Sequence, residues 1–285
     1  MNIQTVAVLG AGLMGRGIAY VSAFGGYRTV LQDTSNAALD KAGAEVSALL
    51  EKGIATGRLQ GADAAAAHKR LSSSTHLEEA VREADLVIEA VPEDIALKVE
   101  LFAALDRHTP KHAILASNTS SLSITEMAAA TTRPERVVGM HFFNPVHRMK
   151  LLEIVRALET SEATIAAAAE VGTRMGKECV TVRESPGFVT SRINAMSGNE
   201  AFFMLQEGVA SAPDIDRALK LGLNHPMGPF ELVDLVGLDT RLAILKFLHR
   251  TLGEKFRPCP LIEQYVAAGR LGRKTGRGVY EYGTS

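Results

Sequence analysis

The chain has 285 residues, of which 46% are hydrophobic and 22% are charged, and its formal net charge is −1. At about 100–200 residues per domain, this length predicts two domains with cores large enough to need no disulfide or structural metal. A net charge so near zero argues against nucleic acid or an anionic membrane as the main partner. No apolar run approaches the ~20 residues of a transmembrane helix.

The cysteines and the N-terminus bear on the cellular compartment. Cys179 and Cys259 lie far apart in the sequence, and neither has a Cys or His neighbour at metal-ligand spacing. We therefore expect two reduced thiols and no metal site. A strand pattern starts almost at once, with no signal-peptide pattern before it, so the expected location is the cytoplasm.

Short apolar segments alternate with helical patterns as far as residue 185. Strands are predicted at 3–9, 28–32, 85–91, 113–117, 137–140, 152–155 and 178–182. Helices are predicted at 13–24, 35–52, 93–107, 123–130 and 161–175, with a projecting helical segment at 53–70. Strands that alternate with helices pair in parallel through right-handed crossovers. The predicted fold class is therefore α/β, with a doubly wound, mostly parallel Rossmann sheet.

The pattern changes after Ser185, where Pro186 and Gly187 interrupt the chain. From there on the periodicity is helical, with helices predicted at 199–206, 213–221, 230–236 and 239–252. We expect a Rossmann domain over residues 1–185, with a helical arm near 35–70, and an all-helical domain over residues 186–285.

A glycine-rich turn follows the first predicted strand and opens the first predicted helix. It consists of Gly10, Ala11, Gly12, Leu13, Met14 and Gly15, which match the pattern G-x-G-x-x-G. In such a turn Gly10 permits the tight bend, Gly12 lets the backbone approach a pyrophosphate, and Gly15 lets the helix pack closely on the strand. The helix N-terminus offers unpaired N–H groups to the phosphates. The turn therefore predicts a dinucleotide site.

An acid at the tip of the second predicted strand indicates which dinucleotide binds. Asp33 lies 18 residues after Gly15, a position from which its carboxylate can accept hydrogen bonds from the adenosine ribose. The same negative charge repels a 2′-phosphate. The expected cofactor is therefore NAD rather than NADP.

A histidine is the first candidate for the chemistry. His141 follows the predicted strand at 137–140, and ligand crevices of open α/β sheets form at the carboxyl ends of strands. Glu153 lies in an apolar strand and needs a partner, because a lone buried carboxylate is costly. A His–Glu pair suits a general base with an oriented ring. The residues alone suggest NAD-dependent alcohol oxidation, and leave open an ordinary core or surface histidine.

Several motifs together resemble the L-3-hydroxyacyl-CoA dehydrogenase family, and within it the short bacterial 3-hydroxybutyryl-CoA type. They are GAGLMG at 10–15, ASNTSS at 116–121, HFFNP at 141–145, LLEIV at 151–155, PGF at 186–188, NEA at 199–201 and HPMGPFELVDLVGLD at 225–239. The resemblance spans nearly the whole chain. It implies reversible oxidation of (S)-3-hydroxyacyl-CoA to 3-ketoacyl-CoA with NAD.

The resemblance also implies roles for residues. His141 takes the 3-hydroxyl proton, Glu153 orients and polarises His141, Ser120 bonds the substrate oxygen, and Asn144 helps to place cofactor and substrate. The implied cofactor contacts beyond the glycine turn and Asp33 are Glu93, Lys98, Ser120, Asn144 and Lys274. From the residues alone, Glu93, Lys98 and Lys274 would be surface charges, and the Ser-Asn-Thr-Ser segment at 117–120 would form turns and cap a helix.

One position departs from the family pattern. Many members carry Asn just before the Arg that follows the PGF motif, whereas this chain has Ser191 there. A serine hydroxyl has a shorter reach, so Ser191 is a hypothetical contact near the substrate thioester. For the negative charges of CoA, the candidates are Lys52 and Arg58. The resemblance further implies that the helical domain covers the acyl end and forms a homodimer.

Two other functions stay open. A related dehydrogenase acting on a free hydroxy acid or sugar acid, such as L-gulonate, would share the fold, the NAD site and the His–Glu pair. A non-catalytic nucleotide-binding protein would share only the fold and the cofactor site. The presence of Ser120, His141, Asn144 and Glu153 argues against the latter.

Overall fold

The structure, a computed structural model, describes residues 1–283, and the chain divides into two compact units, Met1–Ser185 and Pro186–Ser285. The first unit contains an eight-stranded sheet with helices, and the second is helical. This confirms the predicted fold class. No helix among residues 1–283 is both long and apolar enough to cross a membrane.

The sheet is doubly wound and mostly parallel. Its strands are β1 (Thr5–Leu9), β2 (Arg28–Gln32), β3 (Leu71–Ser74), β4 (Leu86–Glu89), β5 (Ile114–Ser117), β6 (Val137–Phe142), β7 (Leu151–Arg156) and β8 (Glu178–Arg183), in the order β3-β2-β1-β4-β5-β6-β7-β8. All pairs from β3 to β6 are parallel. Every residue of β1, β4, β5 and β6 is buried, as expected for strands covered on both faces.

Serine and aspartate side chains determine where most helices of the first unit begin. The helices are α1 (Leu13–Phe24), α2 (Asn36–Ala55), α3 (Gly61–Arg70), α4 (Leu77–Val81), α5 (Ile95–His108), α6 (Ile124–Ala129) and α7 (Glu162–Arg174). The side chains of Ser35, Asp94, Ser123 and Ser161 each accept a hydrogen bond from the first turn of α2, α5, α6 and α7. Such N-caps satisfy backbone N–H groups that a helix leaves unpaired.

The last two strands reverse direction. β7 is antiparallel to β6, and β8 is parallel to β7. The connection over residues 143–150 contains no helix, and parallel pairing would need a crossover of about a dozen residues or more. The sequence predicted a mostly parallel sheet, and the structure confirms it; β7 is antiparallel to β6 because no crossover precedes it.

Two other elements of the first unit escaped prediction. β3 reads Leu-Ser-Ser-Ser and lies at the edge of the sheet, so it carries neither an apolar run nor the β-branched residues that mark a strand. α4 has five residues, too few to establish a helical period.

The second unit has its own core. Its helices are α8 (Thr190–Gln206), α9 (Ala212–Gly222), α10 (Pro229–Val236), α11 (Leu238–Leu252) and α12 (Pro260–Ala267), of which α12 was not predicted. The rings of Phe230 and Tyr265 both pack edge-on against that of Phe202. Two buried acids of this unit are fully hydrogen-bonded: Asp216 accepts from Phe230 N at 2.8 Å, and Asp234 accepts from Val279 N at 2.8 Å. The conspicuous stretch at 225–239 thus builds the core of this unit.

Candidate active site

The glycine turn between β1 and α1 has the shape expected of a phosphate site. Gly10 has φ +94°, and a Cβ there would lie 2.7 Å from Ala90 O. A Cβ on Gly15 would lie 1.7 Å from Gly10 O, which no side chain tolerates. A Cβ on Gly12, in contrast, would meet no protein atom within 4 Å. Gly10 and Gly15 are therefore required by packing, whereas Gly12 borders open space that a ligand can fill.

The N-terminus of α1 is left without a side-chain cap. Gly12 at its N-cap has no side chain, and the first turn contains no acid. The first N–H groups of a helix have no acceptor within the helix and carry the positive end of its dipole. An anion such as a pyrophosphate fits this terminus.

Asp33 lies beside the glycine turn. Its Oδ2 accepts a hydrogen bond from Ala11 N at 2.8 Å, and its Oδ1 accepts one from Ser35 N at 3.0 Å. The carboxylate therefore fixes the turn as well as the start of α2. Each carboxylate oxygen can accept more than one bond, so capacity for a ribose hydroxyl remains.

The reversal at β7 brings the predicted catalytic pair together. In the β6–β7 register His141 lies directly opposite Glu153, and their side chains meet with Nδ1 2.7 Å from Oε2. His141 is 6% exposed and Glu153 is 1% exposed. His141 belongs to β6 rather than following it, because β6 extends to Phe142. A carboxylate on Nδ1 fixes the orientation of the ring and directs Nε2 away from the acid.

A second buried acid lies at the ends of β4 and β5 and was not predicted as a functional residue. Glu89 is fully buried, and its carboxylate accepts hydrogen bonds from Lys98 Nζ at 2.6 Å, Ser117 Oγ at 2.6 Å and Val91 N at 2.7 Å. The signal was present: an acid within the apolar run Leu-Val-Ile-Glu-Ala-Val requires a partner, as at Glu153.

Lys98 is not the surface charge that the residues alone suggested. It is 1% exposed and pairs with Glu89 and, at 3.3 Å, with Glu93 Oε2. The helical period of α5 places it on the buried face. Glu93 is 41% exposed and holds the segment that contains Ser120, accepting a hydrogen bond from Ser120 N at 3.2 Å.

The other residues predicted to contact cofactor or substrate lie on different elements of the two units. Asn144 is exposed in the connection after β6. Lys52 lies in the last turn of α2, and Arg58 follows that helix. In the second unit, Lys274 pairs with both carboxylate oxygens of Asp239 at 2.6 Å, and Ser191 lies in the first turn of α8.

Two family models match the chain along nearly its full length. One, described as 3-hydroxyacyl-CoA dehydrogenase, NAD binding domain, matches residues 5–185. The other, described as 3-hydroxyacyl-CoA dehydrogenase, C-terminal domain, matches residues 187–282. The cofactor of the first unit is accordingly NAD, in agreement with the glycine turn and Asp33.

Individual proteins match over the same length. A probable 3-hydroxybutyryl-CoA dehydrogenase of Bacillus subtilis is 47% identical, over 99% of this chain and 98% of its own. A 3-hydroxybutyryl-CoA dehydrogenase of Bradyrhizobium diazoefficiens is 43% identical, over 98% of this chain and 96% of its own. The crystal structure of (S)-3-hydroxybutyryl-CoA dehydrogenase from Ralstonia eutropha superimposes with a TM-score of 0.96 at 46% identity, covering 99% of this chain and 100% of that one.

The contrast between Gly12 and Gly15 predicts opposite effects of one methyl group. Gly12→Ala should fold normally and weaken NADH binding by about 1–3 kcal/mol, because the methyl group fills space that the pyrophosphate needs. Gly15→Ala should lower the free energy of unfolding by roughly 2–4 kcal/mol, because its methyl group overlaps the backbone of Gly10.

NADH fluorescence titration and urea unfolding of both variants measure these effects. Gly43→Ala in α2 is the control, because a methyl group there meets open space: it should leave NADH affinity unchanged and should not lower the free energy of unfolding, since alanine favours a helix more than glycine does. Unchanged NADH affinity in Gly12→Ala would contradict the placement of the cofactor at this turn.

Proposed function

Because the chain belongs to the 3-hydroxyacyl-CoA dehydrogenase family, we propose that it catalyses the reversible oxidation of (S)-3-hydroxyacyl-CoA to 3-ketoacyl-CoA, with 3-hydroxybutyryl-CoA as its substrate. The observation that carries the proposal is the buried pair of His141 and Glu153 in a unit that binds NAD. A histidine in hydrogen-bond contact with an acid is the arrangement that removes a hydroxyl proton.

The proposed mechanism divides the oxidation between a proton and a hydride. NAD held at the glycine turn and beside Asp33 would supply the acceptor for the hydride that leaves C3 of the substrate. His141 takes the proton of the 3-hydroxyl on Nε2, so that the C–O bond becomes a carbonyl. Glu153 holds Nδ1 and stabilises the imidazolium that forms. In the reducing direction the imidazolium returns the proton to the carbonyl oxygen.

Polar groups near the end of β5 support a substrate site. Ser120 Oγ has no hydrogen-bond partner among residues 1–283, which leaves it available for the substrate oxygen. Asn144 is exposed three residues after His141, where we propose that it contacts cofactor and substrate. Ser191 is a proposed contact near the thioester; an unchanged kcat and KM in Ser191→Ala would remove it from the site.

Three charged residues complete the proposed NAD site. Glu93 has an exposed carboxylate that can accept a ribose hydroxyl, and Lys98 acts by holding Glu93 at 3.3 Å. For Lys274, a cofactor contact stays a prediction from the family resemblance; within the second unit its ammonium group is held by Asp239. The charge of Asp33 favours NAD over NADP.

A basic pocket supports a site for the phosphates of CoA. It has a volume of about 290 Å³, its wall includes Tyr20, Phe24 and Leu59, and none of its lining residues is an acid. Burial lowers the pKa of His147 in its lining, and the charges of Arg148, Lys177, Arg58 and Lys52 lower it further. Lys52 and Arg58 are therefore near the same imidazole. We place the phosphorylated nucleotide of CoA here.

The second unit supports the proposed homodimer. Several of its apolar side chains are half or more exposed, namely Val189, Ile193, Val209, Leu221, Leu223 and Leu235. A contiguous apolar patch marks an interaction site, and we propose that these side chains contribute to one. Sedimentation at the mass of one chain, at micromolar concentration, would contradict the dimer.

The substrate proposal predicts which compounds turn over. Purified protein should oxidise NADH rapidly with acetoacetyl-CoA and far more slowly with free acetoacetate or with NADPH. His141→Ala should lower kcat by about 10²–10⁴-fold, because the general base is lost. His76→Ala, at an exposed histidine that caps no helix with its side chain, is the matched control.

The rate at which NADH absorbance falls distinguishes the proposed function from the two alternatives. Turnover of free acetoacetate in place of the thioester would transfer the proposal to a hydroxy-acid or sugar-acid dehydrogenase. NADH binding without turnover of any substrate would indicate a non-catalytic nucleotide-binding protein.

The CoA site predicts effects on substrate affinity alone. Lys52→Ala and Arg58→Ala should each raise the KM for acetoacetyl-CoA roughly two- to fivefold, corresponding to ~0.5–1 kcal/mol, and added salt should diminish the difference. The KM for NADH should not change. Lys69→Ala, an exposed lysine of α3 in the same arm, is the control. If all three variants match the wild type, CoA binds elsewhere.

A further inference from the structure

Glu89 is a buried charge that the proposed chemistry does not use. Its side chain is completely buried, and that of Lys98 is 1% exposed. A buried ion is costly unless its partners satisfy it fully. Here the charges are paired: Lys98 Nζ donates to Glu89 Oε1 at 2.6 Å and to Val91 O at 3.3 Å, and it forms an ion pair with Glu93 Oε2 at 3.3 Å. The ammonium group thus has two hydrogen-bond acceptors and a second carboxylate within ion-pair distance.

The position of Glu89 in the sheet connects the Glu89–Lys98 pair to the residues at the end of β5. Glu89 ends β4 and lies opposite Ser117, the last residue of β5. Glu89 Oε2 accepts the hydroxyl of Ser117 at 2.6 Å, and Ser117 Oγ in turn accepts Thr119 N at 3.2 Å. The backbone carbonyl of Glu89 accepts Asn118 N at 2.8 Å. Glu89 thereby fixes the chain directly before Ser120.

A second route reaches the same segment through Lys98. Glu93 is held by Lys98, and its Oε1 accepts hydrogen bonds from the Thr119 hydroxyl and from Ser120 N, the latter at 3.2 Å. Thr119 Oγ1 then accepts Leu122 N at 2.9 Å. Both routes start at one carboxylate and converge on the backbone that carries the Ser120 hydroxyl.

We propose that Glu89 is a positioning residue for the reaction: through Ser117 and through Lys98 and Glu93 it fixes residues 117–121, and so places the hydroxyl of Ser120. The inference rests on the role of Ser120 in the proposed function. Because Glu89 is completely buried, it acts through these neighbours rather than by direct contact with solvent-accessible ligands.

Loss of the charge at Glu89 has a specific structural consequence. In Glu89→Gln the shape is kept, but the ammonium of Lys98 loses its buried counterion. Glu93, with a 41% exposed side chain, is the other acid within reach and is drawn toward Lys98. Glu93 then releases Ser120 N, and the hydroxyl of Ser120 moves. A misplacement of about 1 Å at a reacting group costs up to roughly 100-fold in rate.

The test compares Glu89→Gln with a matched control. Asp106→Asn also removes a buried counterion, that of Arg133 at 2.8 Å, in a cluster without bonds to residues 117–121. Both variants should lower the thermal midpoint. Only Glu89→Gln should lower kcat with acetoacetyl-CoA, by roughly 10- to 100-fold, at a temperature where circular dichroism shows both folded. Equal kcat in the two variants would overturn the inference.

A double-mutant cycle with Ser120→Ala separates positioning from general damage. If Glu89 acts through the Ser120 hydroxyl, Glu89→Gln should lower kcat no more than about twofold once that hydroxyl is gone. Independent, multiplying losses would contradict the proposal.

A milder variant covers the case in which Glu89→Gln does not fold. Ser117→Ala breaks the same route without unbalancing any charge and should lower kcat at least roughly threefold, again only when Ser120 is present. Wild-type kcat in Ser117→Ala, with Glu89→Gln unfolded or inactive, would show a purely structural role for Glu89. Failure of the proposed function is distinct, because the wild type itself would then not reduce acetoacetyl-CoA.

Discussion

The proposed chemistry depends on the reversal of the chain between β6 and β7. A parallel β7 would have to return through a crossover, and its residues would run past β6 in the opposite order, so the register that pairs His141 with Glu153 would be lost. The short connection over 143–150 makes the two strands antiparallel and sets a register in which His141 faces Glu153. One break in an otherwise parallel sheet thus creates the buried histidine–carboxylate contact of 2.7 Å.

The parallel part of the sheet serves the cofactor and the segment of Ser120. In the registers of β1, β4 and β5, Leu9 lies opposite Glu89 and Glu89 opposite Ser117, so the three strands end together. The glycine turn continues from β1, and the segment of Ser120 continues from β5. A single buried acid between them, Glu89, keeps the geometry of that edge.

The sequence predicted those features whose local residue pattern has a direct physical cause. The glycine turn with Asp33 is such a pattern, because steric limits allow only glycine at two of its positions. Glu153 was found because an acid in an apolar strand needs a partner. Glu89 presents the same signal in β4 and was overlooked, since its partner Lys98 looked like a surface residue of a helix. The helical period of α5 places Lys98 on the same face as Phe102 and Leu105, and this spacing would have indicated that Lys98 is buried.

Other structural features have no recognisable pattern in the local sequence. The serine-rich edge strand β3 is held by pairing with β2 rather than by any apolar run of its own. β7 is antiparallel because no crossover helix precedes it. A prediction made one strand at a time does not consider the length of the connection between strands. The proximity of Lys52 and Arg58 to His147 depends on tertiary packing between the arm and the connection after β6.

The most direct test of the central claim, that Glu153 acts through His141, is a double-mutant cycle on the hydride-transfer step. Single-turnover oxidation of bound NADH by acetoacetyl-CoA would be followed in the wild type, His141→Ala, Glu153→Gln and the double variant. The account predicts that the double variant is no slower than His141→Ala within about twofold, because an orienting acid has nothing to act on once the base is gone. Losses that multiply in the double variant would show that Glu153 contributes independently of His141 and would contradict the account.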